Sequence, residues 1–188
     1  FTPSGRLIQR PYEEGKDFDY YKELYAEDRE ATIDSLINLR PKYNTRLGRV
    51  VYGGGGITPD KFIPHTFSPK SGTQKILAHS KRPLFNWGSN YANEHWDELT
   101  NYNDFKNSEL SGKDYSIFLD YLGEQGIKPD TSDLNVDRNY LVTMLRAEIA
   151  SARWGKDAAF GIRIRADDQI MTAFSYFNEA TAFLRSSQ

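Results

Sequence analysis

The sequence predicts an α+β fold, mostly α, in which a small β-rich part with a strand and a hairpin precedes a compact helical domain. In the first third of the chain, apolar residues occur as short runs broken by turn residues, which is typical of strands. After Thr73 they recur every three to four residues, as in amphipathic helices. Four consecutive glycines, Gly53–Gly56, interrupt the β-rich part. We therefore predict one domain over 1–67 and a helical one over 68–188.

The composition of the chain excludes several kinds of partner and site. The chain has 188 residues, enough for one domain or for a small domain and a piece of another. Its net charge of −2 argues against a nucleic-acid partner, which would require a basic face. The absence of cysteine excludes disulfides, thiolate metal sites and a cysteine nucleophile. No apolar run approaches the roughly 18 residues of a membrane span.

The β-rich part begins with a turn at residues 2–5 and a strand at Leu7-Ile8. A charged segment near 13–39 follows, with helical spacing at 18, 21, 24 and 25. We interpret it as a solvated helical insertion; the alternative is a lid or docking surface bearing exposed tyrosines, Tyr20, Tyr21 and Tyr25.

A hairpin is predicted next, with arms at Tyr43–Thr45 and Arg49–Tyr52 and with Gly48 at positive φ in the turn. The four glycines then provide positive φ or room for a close backbone approach. We expect a second short strand at 61–63 and a linker over 64–72, which is rich in turn formers.

The helical domain is predicted to contain four or five helices. We expect a short helix over 74–80, a second with an apolar stripe from Leu84 to Leu99, and a third capped by Ser111 or Asp114 and ended by Gly126. The longest is expected over 134–154, entered through Thr131, Ser132 or Asp133. The last begins at Asp167-Asp168, with an inward stripe of Ile170, Ala173, Phe174, Phe177, Ala180 and Leu184.

The glycine run does not match the known phosphate-binding motifs. A phosphate loop requires Lys-Ser or Lys-Thr after its last glycine, and neither follows Gly56. The dinucleotide fingerprint requires a glycine where this chain has Thr58 or Pro59. The sequence therefore predicts no nucleotide cofactor.

Catalytic and metal-binding patterns are also missing from the sequence. His65, His79 and His95 show no metal-ligand spacing, and residues 130–135 lack the glycine of a calcium loop. Lys70 lies near serines but in a predicted linker, without the apolar burial that a Ser–Lys dyad requires. We predict no catalytic, cofactor-binding or metal-binding residue in this chain.

Two segments nevertheless form a recognisable pair. Residues 2–9 read Thr-Pro-Ser-Gly-Arg-Leu-Ile-Gln, and residues 48–64 contain Gly-Gly-Gly-Ile-Thr-Pro-Asp. Both, in this order, resemble segments of the carboxy-terminal processing (tail-specific) serine peptidases, in the form seen in Bacteroidetes-type envelope bacteria. The resemblance assigns structural roles to Thr2, Pro3, Ser4, Gly5, Arg6, Gly54, Gly55, Gly56, Ile57, Pro59 and Asp60.

The resemblance implies a serine endopeptidase of the periplasm or cell envelope that acts through a Ser–Lys dyad. Both catalytic residues would lie upstream of this chain, which begins at Phe1 and which we interpret as a non-catalytic piece of a longer protein. Its expected partners are the upstream peptidase domain, protein or peptide substrates and a second copy of itself. The alternative is a free-standing helical interaction module without enzymatic activity.

Overall fold

A computed structural model describes residues 2, 5–9, 15, 40–45, 48–54, 56, 57, 59–64 and 67–185. The predicted insertion near 13–39 lies outside the described residues apart from Gly15, as do Pro3, Ser4, Gly55 and His65. The chain folds into two compact units. One contains residues 1–64 and 176–188 and is called the hairpin unit; the other contains residues 65–175 and is called the helical unit.

The hairpin unit contains a two-stranded antiparallel sheet of β1 (Lys42–Asn44) and β2 (Val50–Tyr52). Tyr43 faces Val51 across the ladder. Beyond the strands, the Thr45 amide donates to the Arg49 carbonyl over 2.8 Å, and Gly48 has φ +76°. The predicted hairpin is thus confirmed, and so is the fold class: a mostly helical chain with a small antiparallel sheet.

Two further predicted strands are wrong. Residues 5–8 and 61–63 have no strand conformation. The first segment is held by a turn, in which the Thr2 amide donates to the Arg6 carbonyl over 3.0 Å. The second lies between Pro59 and Pro64, which have no N–H and restrict their neighbours, so a ladder does not form.

The part of the chain that the structure describes contains nine α-helices. Eight belong to the helical unit: α1 (Ser71–Leu77), α2 (Pro83–Glu94), α3 (Tyr102–Asn107), α4 (Gly112–Glu124), α5 (Thr131–Val136), α6 (Arg138–Trp154), α7 (Lys156–Arg165) and α8 (Asp168–Phe174). The ninth, α9 (Phe177–Arg185), belongs to the hairpin unit. No helix in these described ranges is long and apolar enough to cross a membrane.

Helix starts follow local side-chain chemistry. Ser111 and Asp114 cap α4 together, because each side chain accepts the other residue's backbone amide. Asp167 caps α8 as predicted, by accepting the Ile170 amide over 2.9 Å. For α5 the predicted cap is wrong: Asp130, not one of the three residues after it, accepts the amides of Ser132 and Asp133.

Several predicted helices have different limits. The first begins at Ser71, so the linker is shorter than predicted, and α2 ends at Glu94 instead of near Leu99. The long helix is divided at Asp137, whose buried carboxylate accepts the Lys70 amide over 2.6 Å. The predicted last helix is divided after Phe174, and α3 and α7 were not predicted. More helices therefore form than the four or five expected.

The main core joins α1, α2, α4, α5 and α6. Trp87 on α2 packs edge-on against Phe118 on α4, with ring centroids 5.6 Å apart. A smaller cluster of alanines and Ile162 joins α6 to α7 beside Trp154. The inward stripe predicted for the last helix is wrong where its side chains are described, because Ile170, Phe174 and Phe177 are exposed. The largest apolar side chains that are fully buried in the main core are Ile76, Phe118, Leu122, Leu134, Leu141, Leu145 and Ile149.

Candidate functional site: two sequence motifs in contact

Residues 5–9 lie against the glycine segment that follows β2. The Gly54 amide donates to the Leu7 carbonyl over 3.0 Å, and the Arg6 guanidinium donates to the Tyr52 carbonyl over 3.3 Å. The Gly53 amide continues the hairpin by donating to the Pro41 carbonyl, also over 3.0 Å. The two motifs singled out in the sequence are therefore joined through the backbone; we call this contact region the motif cluster.

The glycines at this contact are required for two different reasons. At Gly53, a Cβ atom would lie 2.8 Å from Cε2 of Tyr43 and 3.3 Å from the Leu7 carbonyl oxygen, so any side chain there would force these neighbours to move. At Gly54, φ is +75°, a conformation that L side chains rarely adopt. The predicted reasons for the glycine run, close approach and positive φ, are both confirmed.

The acidic end of the glycine motif contacts the hairpin through side chains. Asp60 forms an ion pair with Arg49, and both side chains are partly exposed. The neighbouring Lys61 lies 3.6 Å from the Glu179 carboxylate and 5.3 Å from the ring centroid of Tyr176. Asp60 thus accepts a hydrogen bond from the Arg49 guanidinium, in keeping with a structural role at the hairpin.

The motif cluster presents apolar side chains to solvent. Leu7, Val50, Ile57 and Phe62 are all exposed, Ile57 by 73%. The fully buried apolar side chains of the described residues lie instead between Ile76 and Ile162, in the helical unit. With backbone amides, an exposed ion pair and apolar side chains, the motif cluster is suited to packing against another polypeptide rather than to proton transfer.

The remaining candidates from the sequence lie apart and have separate partners. His79 accepts the Lys81 amide over 3.2 Å, while His95 pairs with Glu98 over 3.0 Å. Lys70 is exposed, so it lacks the burial that a general base requires. Within the described residues there is no group of three side chains arranged to hold a metal ion.

Sequence reasoning missed the groups that tertiary packing creates. Arg146 of α6 donates to the Phe105 and Lys106 carbonyls over 2.8 and 3.1 Å, and burial lowers the pKa of its guanidinium. These hydrogen bonds satisfy two carbonyl groups at the C-terminal end of α3. The sequence indicated neither α3 nor this arginine, because the bonded residues are about 40 positions apart.

A cavity of about 480 Å³ in the helical unit was also missed. Its walls come from Phe67, from Tyr140 and Met144 on α6, and from the turn between α7 and α8. The available signal was Tyr140, a large aromatic side chain on the predicted long helix over 134–154.

No known family model, curated protein or solved structure matches this chain. The relationship to carboxy-terminal processing peptidases therefore remains a prediction from the two motifs.

Proposed function

We propose that this chain is the C-terminal, non-catalytic part of a carboxy-terminal processing serine peptidase of the periplasm or cell envelope. In the parent protein an upstream Ser–Lys dyad hydrolyses peptide bonds near protein C-termini. The hairpin unit completes the peptidase sheet, and the helical unit serves in substrate delivery or in contacts between copies.

The observation that carries this proposal is the direct contact between the two motifs. They are separated by about 40 residues in the sequence, yet Gly54 bonds to Leu7 and Arg6 bonds to Tyr52. Motifs that owed their likeness to chance would not be expected to share backbone hydrogen bonds. The exposed Ile57 and Val50 give the hairpin unit an apolar surface that an upstream domain would cover.

The test is to read the gene that encodes this chain and to assay its whole product. We expect upstream codons for a serine and, later, for a Gly-Lys-Gly segment. The whole product should hydrolyse unfolded β-casein, its upstream Ser→Ala variant should not, and the 188-residue chain alone should be inactive. A gene with no such serine and lysine upstream would refute the proposal.

The second candidate function is a helical protein-interaction module. It is favoured by exposed apolar side chains on α7 and α8, namely Phe160 (57%), Met171 (46%) and Phe174 (49%). The three tyrosines predicted for such a surface lie outside the described residues. The module predicts that Phe160→Ser weakens a complex that the chain forms with itself or with a partner, which sedimentation velocity measures. Because contacts between copies also fit the peptidase proposal, a gene without the upstream serine and lysine is the result that distinguishes the module.

A further inference from the structure

The cavity between α6 and the α7–α8 turn has the size and lining of a ligand site. Its volume of about 480 Å³ lies within the range of about 300–1,000 Å³ typical of such sites. Phe67, Tyr140 and Met144 form its apolar part, while Arg163, Asp167 and Asp168 supply charge. All these residues belong to the helical unit and none belongs to the motif cluster.

Two aromatic rings form one wall of the cavity. The ring centroids of Phe67 and Tyr140 are 4.9 Å apart, and the planes are tilted by 42°. Both residues are half-buried and both line the cavity. Aromatic faces attract an ammonium or guanidinium group that lies within about 6 Å of the ring centroid.

The charges around the cavity also favour a cation. The positive charge of Arg163 is already matched, because its Nη2 donates to Oε1 of Glu148 over 2.7 Å. Two carboxylates remain on the rim. Asp167 caps α8 by accepting the Ile170 amide at Oδ1, while the exposed Asp168 begins that helix. Because Glu148 offsets the positive charge of Arg163, the carboxylates of Asp167 and Asp168 leave the rim of the cavity net negative.

From this combination we propose that the cavity binds the side chain of an arginine or lysine residue in an extended peptide. The apolar stem packs against Met144 and Tyr140, and the cationic head lies between the aromatic wall and Asp168. This proposal holds whether or not the chain belongs to a peptidase, because it depends only on residues of the helical unit.

The test uses the full 188-residue chain and the dipeptide N-acetyl-leucyl-arginine amide, followed by NMR chemical shifts. We expect saturable shifts at the amides of Tyr140, Met144 and Gln169. The same dipeptide with citrulline, which keeps the shape of arginine without its charge, should bind at least about threefold more weakly.

Single substitutions test whether the arginine side chain binds at this cavity. Asp168→Asn should weaken binding of the arginine dipeptide about threefold, the range of an exposed ion pair. Asp157→Asn is the matched control, since it removes an exposed carboxylate from the first turn of α7, away from the cavity, and should leave affinity unchanged. Tyr140→Leu should also weaken binding about threefold.

Three results would overturn the proposal. The first is equal affinity for arginine and citrulline dipeptides. The second is tighter binding of N-acetyl-leucyl-glutamate amide than of the arginine dipeptide, because Arg163 would then be the group that selects the ligand. The third is the absence of saturable shifts at the cavity in the folded chain. Failure on any of these counts leaves the peptidase proposal intact, because the upstream serine is tested separately.

Discussion

At the scale of single residues, individual polar groups join elements that are distant in sequence. The buried Tyr115 of α4 donates its hydroxyl proton to the Leu134 carbonyl of α5 over 3.0 Å. Gly53 acts differently, since it lets the Leu7 carbonyl and the Tyr43 ring approach the backbone. Tyr115 thus contributes a hydrogen bond between two helices, whereas Gly53 contributes the space that a side chain would otherwise fill.

Replacing Tyr115 tests the bond. Tyr115→Phe should lower the free energy of unfolding at pH 7 by about 1 kcal/mol, because the hydrogen bond to Leu134 is lost. Urea denaturation measures this loss. Tyr121→Phe is the control, since the Tyr121 hydroxyl has no hydrogen-bond partner within the described residues, and an equal loss in both variants would contradict the expectation.

The same side chain should give an alkaline pH dependence. Burial raises the pKa of Tyr115 above its ordinary value of 10.0, so the folded state favours the neutral phenol. Its contribution to stability is complete below the unfolded-state pKa and is lost as pH rises through the raised folded-state pKa. Between about pH 9 and 11, the native chain should therefore lose more stability than Tyr115→Phe.

At the scale of elements, α2 and α6 cross closely at Gly88. A Cβ at Gly88 would lie 2.7 Å from the Glu148 Cβ and 3.2 Å from the Ile149 amide nitrogen. Glu148 is also bound to Arg163, so its position is fixed from a third helix. The distance between α2 and α6 thus depends on the absence of a single methyl group.

Gly88→Ala should destabilise this unit by about 1–3 kcal/mol, because the added methyl overpacks the crossing and outweighs the gain in helix propensity. Gly123→Ala is the matched control on α4. A Cβ there would meet nothing within 4 Å, so the variant should gain up to about 1 kcal/mol. Thermal unfolding followed by circular dichroism measures both, and equal effects of the two variants would refute the close crossing.

At the scale of the whole molecule, the two units differ in how much apolar surface they bury. The helical unit contains the fully buried side chains of the described residues, whereas the described apolar residues of the hairpin unit are exposed or half-buried. Burial of apolar surface is the main stabilising contribution to folding. The hairpin unit should therefore be the less stable of the two.

Hydrogen exchange followed by mass spectrometry tests this difference. In the 188-residue chain, the amides of Tyr52 and Gly54 should exchange faster than those of Leu145 and Ile149. If the hairpin unit completes an upstream peptidase sheet, exchange at Tyr52 and Gly54 should slow in the whole gene product while α6 is unchanged. Equal protection of both regions in the short chain would contradict the expected order.

The sequence by itself determined the features that depend on near neighbours. The hairpin at Gly48, the close approach and positive φ of the glycine run, Ser111 as one of two candidate caps of α4 and the helical character of the chain after Thr73 were all predicted correctly. Each depends on the φ preference of one residue, on a bond across three residues or on the spacing of apolar side chains along one helix.

Only the tertiary structure decided the features that depend on distant partners. Asp137 divides the predicted long helix where its carboxylate binds Lys70, and Arg146 closes α3 from 40 residues away. The contact of Gly54 with Leu7, and the cavity beside Tyr140, likewise join segments that are far apart in sequence. Local propensities contain no information about such pairs, because which residues meet is fixed only when the apolar faces pack together.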